Sequence, residues 1–524
     1  FGQASINESE IASVLYVSPD GLESNDGTRE SPRDLQSVLS EVRNGPATKI
    51  ILMDGDYRDY FLLRDGEELL ILEAENPGQA RISGADIFEW NDEPGIPDVY
   101  SINWTIKWGI GGLPFPVFYT DEEDITGRRR EILFVNDTRL NPRHVFGLDG
   151  EGEASALAVE PEDLLPGEFT VNEDDEKIYF RPFDGQNIDE DSIVEASVRS
   201  DPANRSLFIV IGRSNLVIRG IAFIRGSGYI NIGEALTIKT TGNPPSSELP
   251  RDILIENCRF AENNGRGLQI GDARNVSIIN SVFEDNGEGG ISSGRLYGLL
   301  AEDCIFRNNG WRYTFWLTQH TAAGWKHLDY NPLEDSRDLV FRRLQFVDNA
   351  TQGLWLDYAG DGPFTVDHCL FENNHHRGMF VEYTRSVENL RITDCVFRNN
   401  GQVNLQVSSS ANIVITDSVF HNVREEANAG NIPQLPNLRV VADKRRLIYD
   451  TPPSIRGWMI EGSTIIANGE TGSGWTSVNW ELNDWGADSA DFGTDVLVNT
   501  IVSDYNTWYR EGSGADSAEF PGDS

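Results

Sequence analysis

Asp357 and Glu382 are the residues of this chain best placed to do chemistry. They lie 25 residues apart, in the matching segments Trp355-Leu356-Asp357 and Phe380-Val381-Glu382. If both occupy the same point of successive strands, their backbones stand roughly 4.8 Å apart. Like charges that close are unfavourable unless a cation, a shared proton or a substrate compensates. Such a pair suits retaining glycoside hydrolysis, and splayed side chains would also reach the roughly 6.5–9.5 Å of an inverting pair. Lys326, with His327 beside it, is expected next to Asp357. Trp316, Trp325, Trp355 and Phe380 supply aromatic faces, His320 lies among them, and Gln269 and Gln406 extend the strip at its ends. Sugars stack their apolar faces on such rings and bond their hydroxyls to carboxylates and amides. The expected catalytic set is therefore Asp357, Glu382 and Lys326. The other residues named are expected to contact substrate, and no metal ligands are assigned.

The elements that position these residues follow from a repeat. Six phenylalanines are each followed three residues later by asparagine: Phe260/Asn263, Phe283/Asn286, Phe306/Asn309, Phe346/Asn349, Phe371/Asn374 and Phe397/Asn400. The steps between the phenylalanines are 23, 23, 40, 25 and 26 residues. With the phenylalanine as position zero, positions −7, −5, −2, +8 and +10 are apolar or small in coil after coil. Period-2 alternation marks strands, and the gap between −5 and −2 marks a bend. Three short strands per coil, stacked in register, predict an all-β solenoid, a parallel β-helix. Asn at +3 is expected to take the left-handed corner. Positions +9 and +11 point outward. The first reads Gln269, Ser292, Trp355, Phe380, Gln406, and the second Gly271, Gly294, Asp357, Glu382, Ser408. The long step precedes Asp357 and carries Trp311, Tyr313, Phe315, Trp316 and Trp325. His375 and His376 fall at a turn and read as surface residues. All four cysteines (Cys258, Cys304, Cys369, Cys395) sit at −2, a coil period and not a ligand spacing, so they read as a buried stack.

A formal charge of −41, from 84 acidic and 43 basic residues, disfavours nucleic acid and anionic membranes as partners. No apolar run is long enough to span a membrane. The chain starts at Phe1, which fits a processed secreted, periplasmic or cell-surface protein. No Walker loop, zinc spacing, EF-hand or serine-hydrolase elbow is present.

Along the chain, residues 1–85 read as an N-terminal cap and the first rungs. The cap helix is expected to start at Ser31 as N-cap with Pro32 in its first turn. Residues 86–200 break the rhythm and read as an inserted β-rich subdomain or long loops. Residues 201–470 form the β-helix body with its cleft. Residues 471–524 hold an irregular last rung and an acidic tail.

The segments "YVSPDGLESNDGTRESP", "MDGDYR" and "ENPGQARISG" resemble the opening of right-handed parallel β-helix carbohydrate enzymes, the pectate-lyase-like fold. "TAAGWKHLD", "QGLWLDYAG" and "RGMFVEYTR" resemble three successive coils of β-helical glycoside hydrolases of the xylosidase, xylanase and fucosidase type. The resemblance implies a right-handed helix, a poly- or oligosaccharide substrate, and Lys326, Asp357 and Glu382 as cleft residues. It leaves the sugar, the linkage, endo or exo action and the oligomeric state open. Hydrolysis needs no cofactor. The alternatives are a polysaccharide lyase, with Ca²⁺ on the two acids and Lys or Arg as base, and a non-catalytic glycan-binding β-helix.

Overall fold

The computed structural model describes residues 4–108, 129–148, 154–186, 188–199, 206–228, 233–242, 244–312, 322–329, 336–360, 362–382, 390–408, 410–422, 437–443, 458–468, 478–483, 501–504 and 506–511. Its body is a parallel β-helix. One sheet of 22 strands runs round a corner of the coil, and a second sheet of 12 short strands closes the coil. Every solenoid pairing is parallel and joins one coil to the next. Phe260↔Phe283, Phe283↔Phe306 and Phe306↔Phe346 are in register. The core is a continuous apolar column, and the repeat phenylalanines are fully buried in it.

The phenylalanine rings stack nearly parallel, with centroids from 4.5 Å (Phe371/Phe397) to 5.1 Å (Phe346/Phe371). The 40-residue step gives 4.8 Å between Phe306 and Phe346, against 4.9 Å for the 23-residue step before it. Beside this stack runs a ladder of amides. Asn263 Nδ2 donates to Asn286 Oδ1 (2.9 Å), Asn286 to Asn309 (2.9 Å), Asn309 to Asn349 (3.0 Å), Asn349 to Asn374 (2.8 Å) and Asn374 to Asn400 (2.9 Å). Each Nδ2 also donates to a carbonyl of the preceding coil, as Asn309 does to Phe283 O at 2.9 Å.

The corner is not where the sequence pattern put it. The left-handed residues lie at +2 (Glu262, Asp285, Asn308, Asp348, Asn373 and Asn399, φ 53–59°) and at −3 (Asn257, Asn280, Asp303, Arg343, His368 and Asp394, φ 48–56°). The ladder asparagines are not among them. Their amides must lie flat between coils to bond both neighbours, so the preceding residue makes the turn. At +7 glycine is required by close approach: a Cβ on Gly353 would sit 2.5 Å from Gly378 O and 2.8 Å from Phe346 Cβ. The four cysteines are buried free thiols, as in Cys258, whose Sγ lies 3.5 Å from Ile218 O.

The N-terminal helix spans Leu35–Glu41, and its buried face is Leu35, Val38 and Leu39. Its N-cap is Asp34, not Ser31: the Asp34 carboxylate accepts from Ser37 N at 2.9 Å. Ser31 and Arg33 are held in β-bridges to Thr28 and Val17, which keeps Pro32 out of the helix. Strands between Ala85 and Ser197 belong to three small sheets separate from the two solenoid sheets, with their own core around Trp104, Phe169 and Phe180. Arg225 of the solenoid joins this region through Glu195 and Asp137. Trp311, at the start of the long step, is stacked under the Arg139 guanidinium at 3.8 Å. Among the described residues no helix is long and apolar enough to cross a membrane.

Candidate active site

The strands Ala323–Leu328, Gln352–Asp357, Arg377–Glu382 and Val403–Ser408 occupy four successive coils. Asp357 pairs with Glu382 in register, as the repeat requires. Lys326, Trp355, Phe380 and Gln406 form the next outward column. Lys326 thus lies diagonal to Asp357, whose lateral neighbour is Leu328. Its long stem still brings Nζ to 3.1 Å from Asp357 Oδ2 and 3.4 Å from the Trp355 ring centroid. Trp355 Nε1 donates to Glu382 Oε2 at 3.2 Å. The Trp355 and Phe380 rings stack at 5.3 Å. Both columns were expected to face solvent. They point away from the helix interior, yet Lys326, Asp357 and Glu382 are only 7–8% exposed. Stacked rings and the cations lying on them cover one another here.

Gln269 stands two coils upstream of Trp355's neighbour Lys326, with Thr237 next in the column. Gln406 stands on the other side of Phe380, with Arg439 next in the column, and its Oε1 accepts from Arg377 Nε (2.7 Å) and Arg439 Nη1 (3.4 Å). His320 and Trp316 lie outside the described residues.

Two expected substrate contacts face the wrong way. Trp325 and His327 flank Lys326, so period-2 alternation turns both into the helix, where each is 0% exposed. They belong to a buried polar network. Trp325 Nε1 donates to Ser293 Oγ (2.7 Å), and His327 Nδ1 meets the same oxygen at 2.9 Å. His327 Nε2 lies 3.1 Å from Ser336 Oγ, which donates to Asp329 Oδ1 at 2.9 Å. Burial pushes the Asp329 carboxyl up, but the nearby His327 imidazole and hydrogen bonds from the Ser336 and Arg295 amides outweigh it and leave it below its ordinary value. His376, read as a surface residue, is buried, and burial pushes its imidazole down to about 3, so it stays neutral. His375 is exposed.

The outward column at +6 was not singled out in the sequence. It contains Glu234, Arg266, Ala323, Gln352 and Arg377. Only the repeat register could have revealed it, by the same ruler that picked out +9. The Arg377 guanidinium lies 4.6 Å over the Phe380 ring. Upstream, Arg266 bridges Glu234 (3.6 Å) and Glu288. Burial pushes the Glu234 carboxyl up to about 7, with the Arg266 cation opposing and the Glu288 charge assisting. A carboxyl raised on folding makes stability fall as pH rises from about 4.5 to about 7, by an amount on the order of 3 kcal/mol. Glu234→Gln is expected to remove that slope. Denaturant unfolding of both proteins at pH 4.5, 6 and 8 measures it, and parallel pH profiles would contradict it.

One carboxylate–imidazole cluster among the described residues, Asp367, His368 and Asp394, could hold a metal ion. It lies at the −3 corner, and its Asp367 Oδ2 is already bonded by Arg342 Nε at 3.2 Å.

The fold is that of a right-handed parallel β-helix. Residues 210–390 match the family described as right handed beta helix region. The complex of XylC with xylose superposes with a TM-score of 0.52 at 14% identity, covering 89% of this chain and 70% of that one. A structure described as a glycoside hydrolase gives 0.49 at 11% identity, covering 97% and 98%. The A-module of the Azotobacter vinelandii mannuronan C-5 epimerase AlgE4 gives 0.47 at 14% identity, covering 94% and 95%. At 14% identity the likeness to the XylC complex shows the fold alone. No curated protein matches the sequence.

Proposed function

We propose that this protein is a carbohydrate-active enzyme, and specifically a glycoside hydrolase with Asp357 and Glu382 as its catalytic pair. The observation that carries this reading is the in-register placement of the two acids on adjacent strands, each held by a different partner. Lys326 engages Asp357, and the indole N–H of Trp355 engages Glu382. In this reading Asp357 is the nucleophile: one carboxylate oxygen attacks the anomeric carbon while the other stays with the ammonium. Glu382 gives its proton to the leaving glycosidic oxygen and then takes one from the water that hydrolyses the glycosyl-enzyme. The stacked rings of Trp355 and Phe380 form an apolar face on which a sugar ring can lie. The relatives named above, a xylose complex among them, lend this substrate class support through shared fold alone.

Digestion of a panel of neutral and uronate-containing glycans, read by mass spectrometry with and without chelator, tests the reaction class. Products that gain the mass of water, unchanged by chelator, are expected. Ultraviolet-absorbing unsaturated products lost with chelator would replace this reading by a lyase, and binding without turnover would replace it by a glycan-binding module.

A further inference from the structure

The face just past the Gln269–Lys326 column carries a second feature of the same coils. Further along the strands Arg266–Ile279 and Gly289–Glu302, the register aligns Arg274, Tyr297 and Arg337 in one column. They line a groove of about 400 Å³ together with Ser246, Asn275 and Asp338. Tyr297 lies on the coil between the two arginines, so an aromatic surface has a guanidinium on either side, and the Arg337 guanidinium lies 5.9 Å from its ring centroid.

The groove brings two cations together in an acidic molecule. The chain has a formal charge of −41, and several arginines elsewhere on the solenoid are matched to acids. Arg219 binds Glu8, Glu73 and Glu256; Arg259 and Arg307 share Glu284; Arg343 binds Glu302 and Asp303. Among the described residues, neither Arg274 nor Arg337 has an acidic partner within ion-pairing distance. Asp338, the carboxylate in the groove wall, follows Arg337 in the chain and does not pair with it.

We infer that this groove is a binding site for an acidic saccharide, a uronic acid unit whose carboxylate is taken by Arg274 and Arg337. A guanidinium presents a planar fork of donors that matches a carboxylate. The tyrosine ring takes the apolar face of the pyranose, and Asn275 and Ser246 supply hydroxyl partners. Two cations in a strongly negative molecule also admit an anionic chain locally where the rest of the surface repels it. The inference goes beyond the hydrolase reading and does not depend on Asp357 or Glu382 being catalytic.

Isothermal titration calorimetry on the full chain tests it with three probes: tetragalacturonate, its full methyl ester, and inorganic sulfate. The acid form is expected to bind, with affinity falling as salt rises. The ester and sulfate are each expected to bind at least tenfold more weakly. The double variant Arg274→Gln/Arg337→Gln is expected to lose at least tenfold in affinity for the acid form, while Asp357→Asn binds it as the parent does. Absence of binding by the parent, equal binding of the ester, equal binding of sulfate, or an unchanged double variant would each overturn the site. Loss of binding in Asp357→Asn would move it to the carboxylate column. Turnover in the glycan panel bears on the hydrolase and leaves this result untouched.

Discussion

Asp357→Asn is expected to lower kcat on the glycan substrate by about 10³-fold or more, with the fold intact. Removing a nucleophile or a general acid typically costs about 10²–10⁴-fold. The amide is nearly isosteric, and Lys326 keeps its contact with the Trp355 ring, so the strand stack has no reason to shift. Glu382→Gln should cost a similar factor on a natural glycoside. The two variants separate on an aryl glycoside whose leaving group needs no proton. Glu382→Gln should then release a burst of aryl alcohol and stall at the glycosyl-enzyme, because nothing activates water. Asp357→Asn should show neither burst nor turnover. Full activity in both variants, with unchanged circular dichroism, would remove the pair from the mechanism. A burst in Asp357→Asn would exchange the two roles.

The largest stability effect is expected in the amide ladder. Asn309 sits at its centre and is 1% exposed. Its Oδ1 accepts from Asn286 Nδ2 at 2.9 Å, and its Nδ2 donates to Phe283 O and Asn349 Oδ1. Asn309→Ala leaves the Asn286 amide and the Phe283 carbonyl without those partners in a dry interior. Each stranded group costs about 1–3 kcal/mol, so a loss of about 2–5 kcal/mol is expected. Asn349 Oδ1 suffers less, because the Asn309 backbone N–H still reaches it at 3.2 Å. Asn309→Asp should be worse, since a carboxylate can no longer donate in either direction and would be buried with its charge. Thermal and urea unfolding report both. A fall in midpoint no larger than that of a surface asparagine would show that the ladder is dispensable.

The sequence pattern carried much of this because a solenoid converts spacing into contact. Phe260, Phe283 and Phe306 had to stack once their separation equalled a coil, and the same ruler set Asp357 against Glu382. It failed where its origin was lost. Residues between Phe306 and Phe346 have no fixed count, so Lys326 could be placed only to within a residue or two. In a strand a one-residue error reverses the face: Trp325 and His327 went to the cleft on paper and lie in the core. The corner was misplaced for a different reason. Asparagine suits both a left-handed turn and an amide stack, and composition cannot tell which it serves. Residue Asp348 or Glu262 makes the turn, and Asn349 or Asn263 makes the bond. Exposure was missed because outward from the helix axis does not mean toward water. Lys326 over Trp355 is a contact between coils that no single coil foretells, and Arg377 over Phe380 joins two columns within one strand.

The phenylalanine spacing across the long coil has a bearing on how such a molecule can change. Phe306 and Phe346 stack at 4.8 Å although 40 residues separate them, and Phe283 and Phe306 at 4.9 Å with 23. The stack registers only where the chain re-enters, not how far it has wandered. Each coil is thus a socket of fixed gauge, and the number of residues between sockets can change without renegotiating the core. New specificities can then be grafted coil by coil onto an unaltered spine, and a chimera that exchanges only residues 313–321, keeping Trp311 under Arg139 and Arg312 on the Arg129 and Glu131 carbonyls, should fold like its parent.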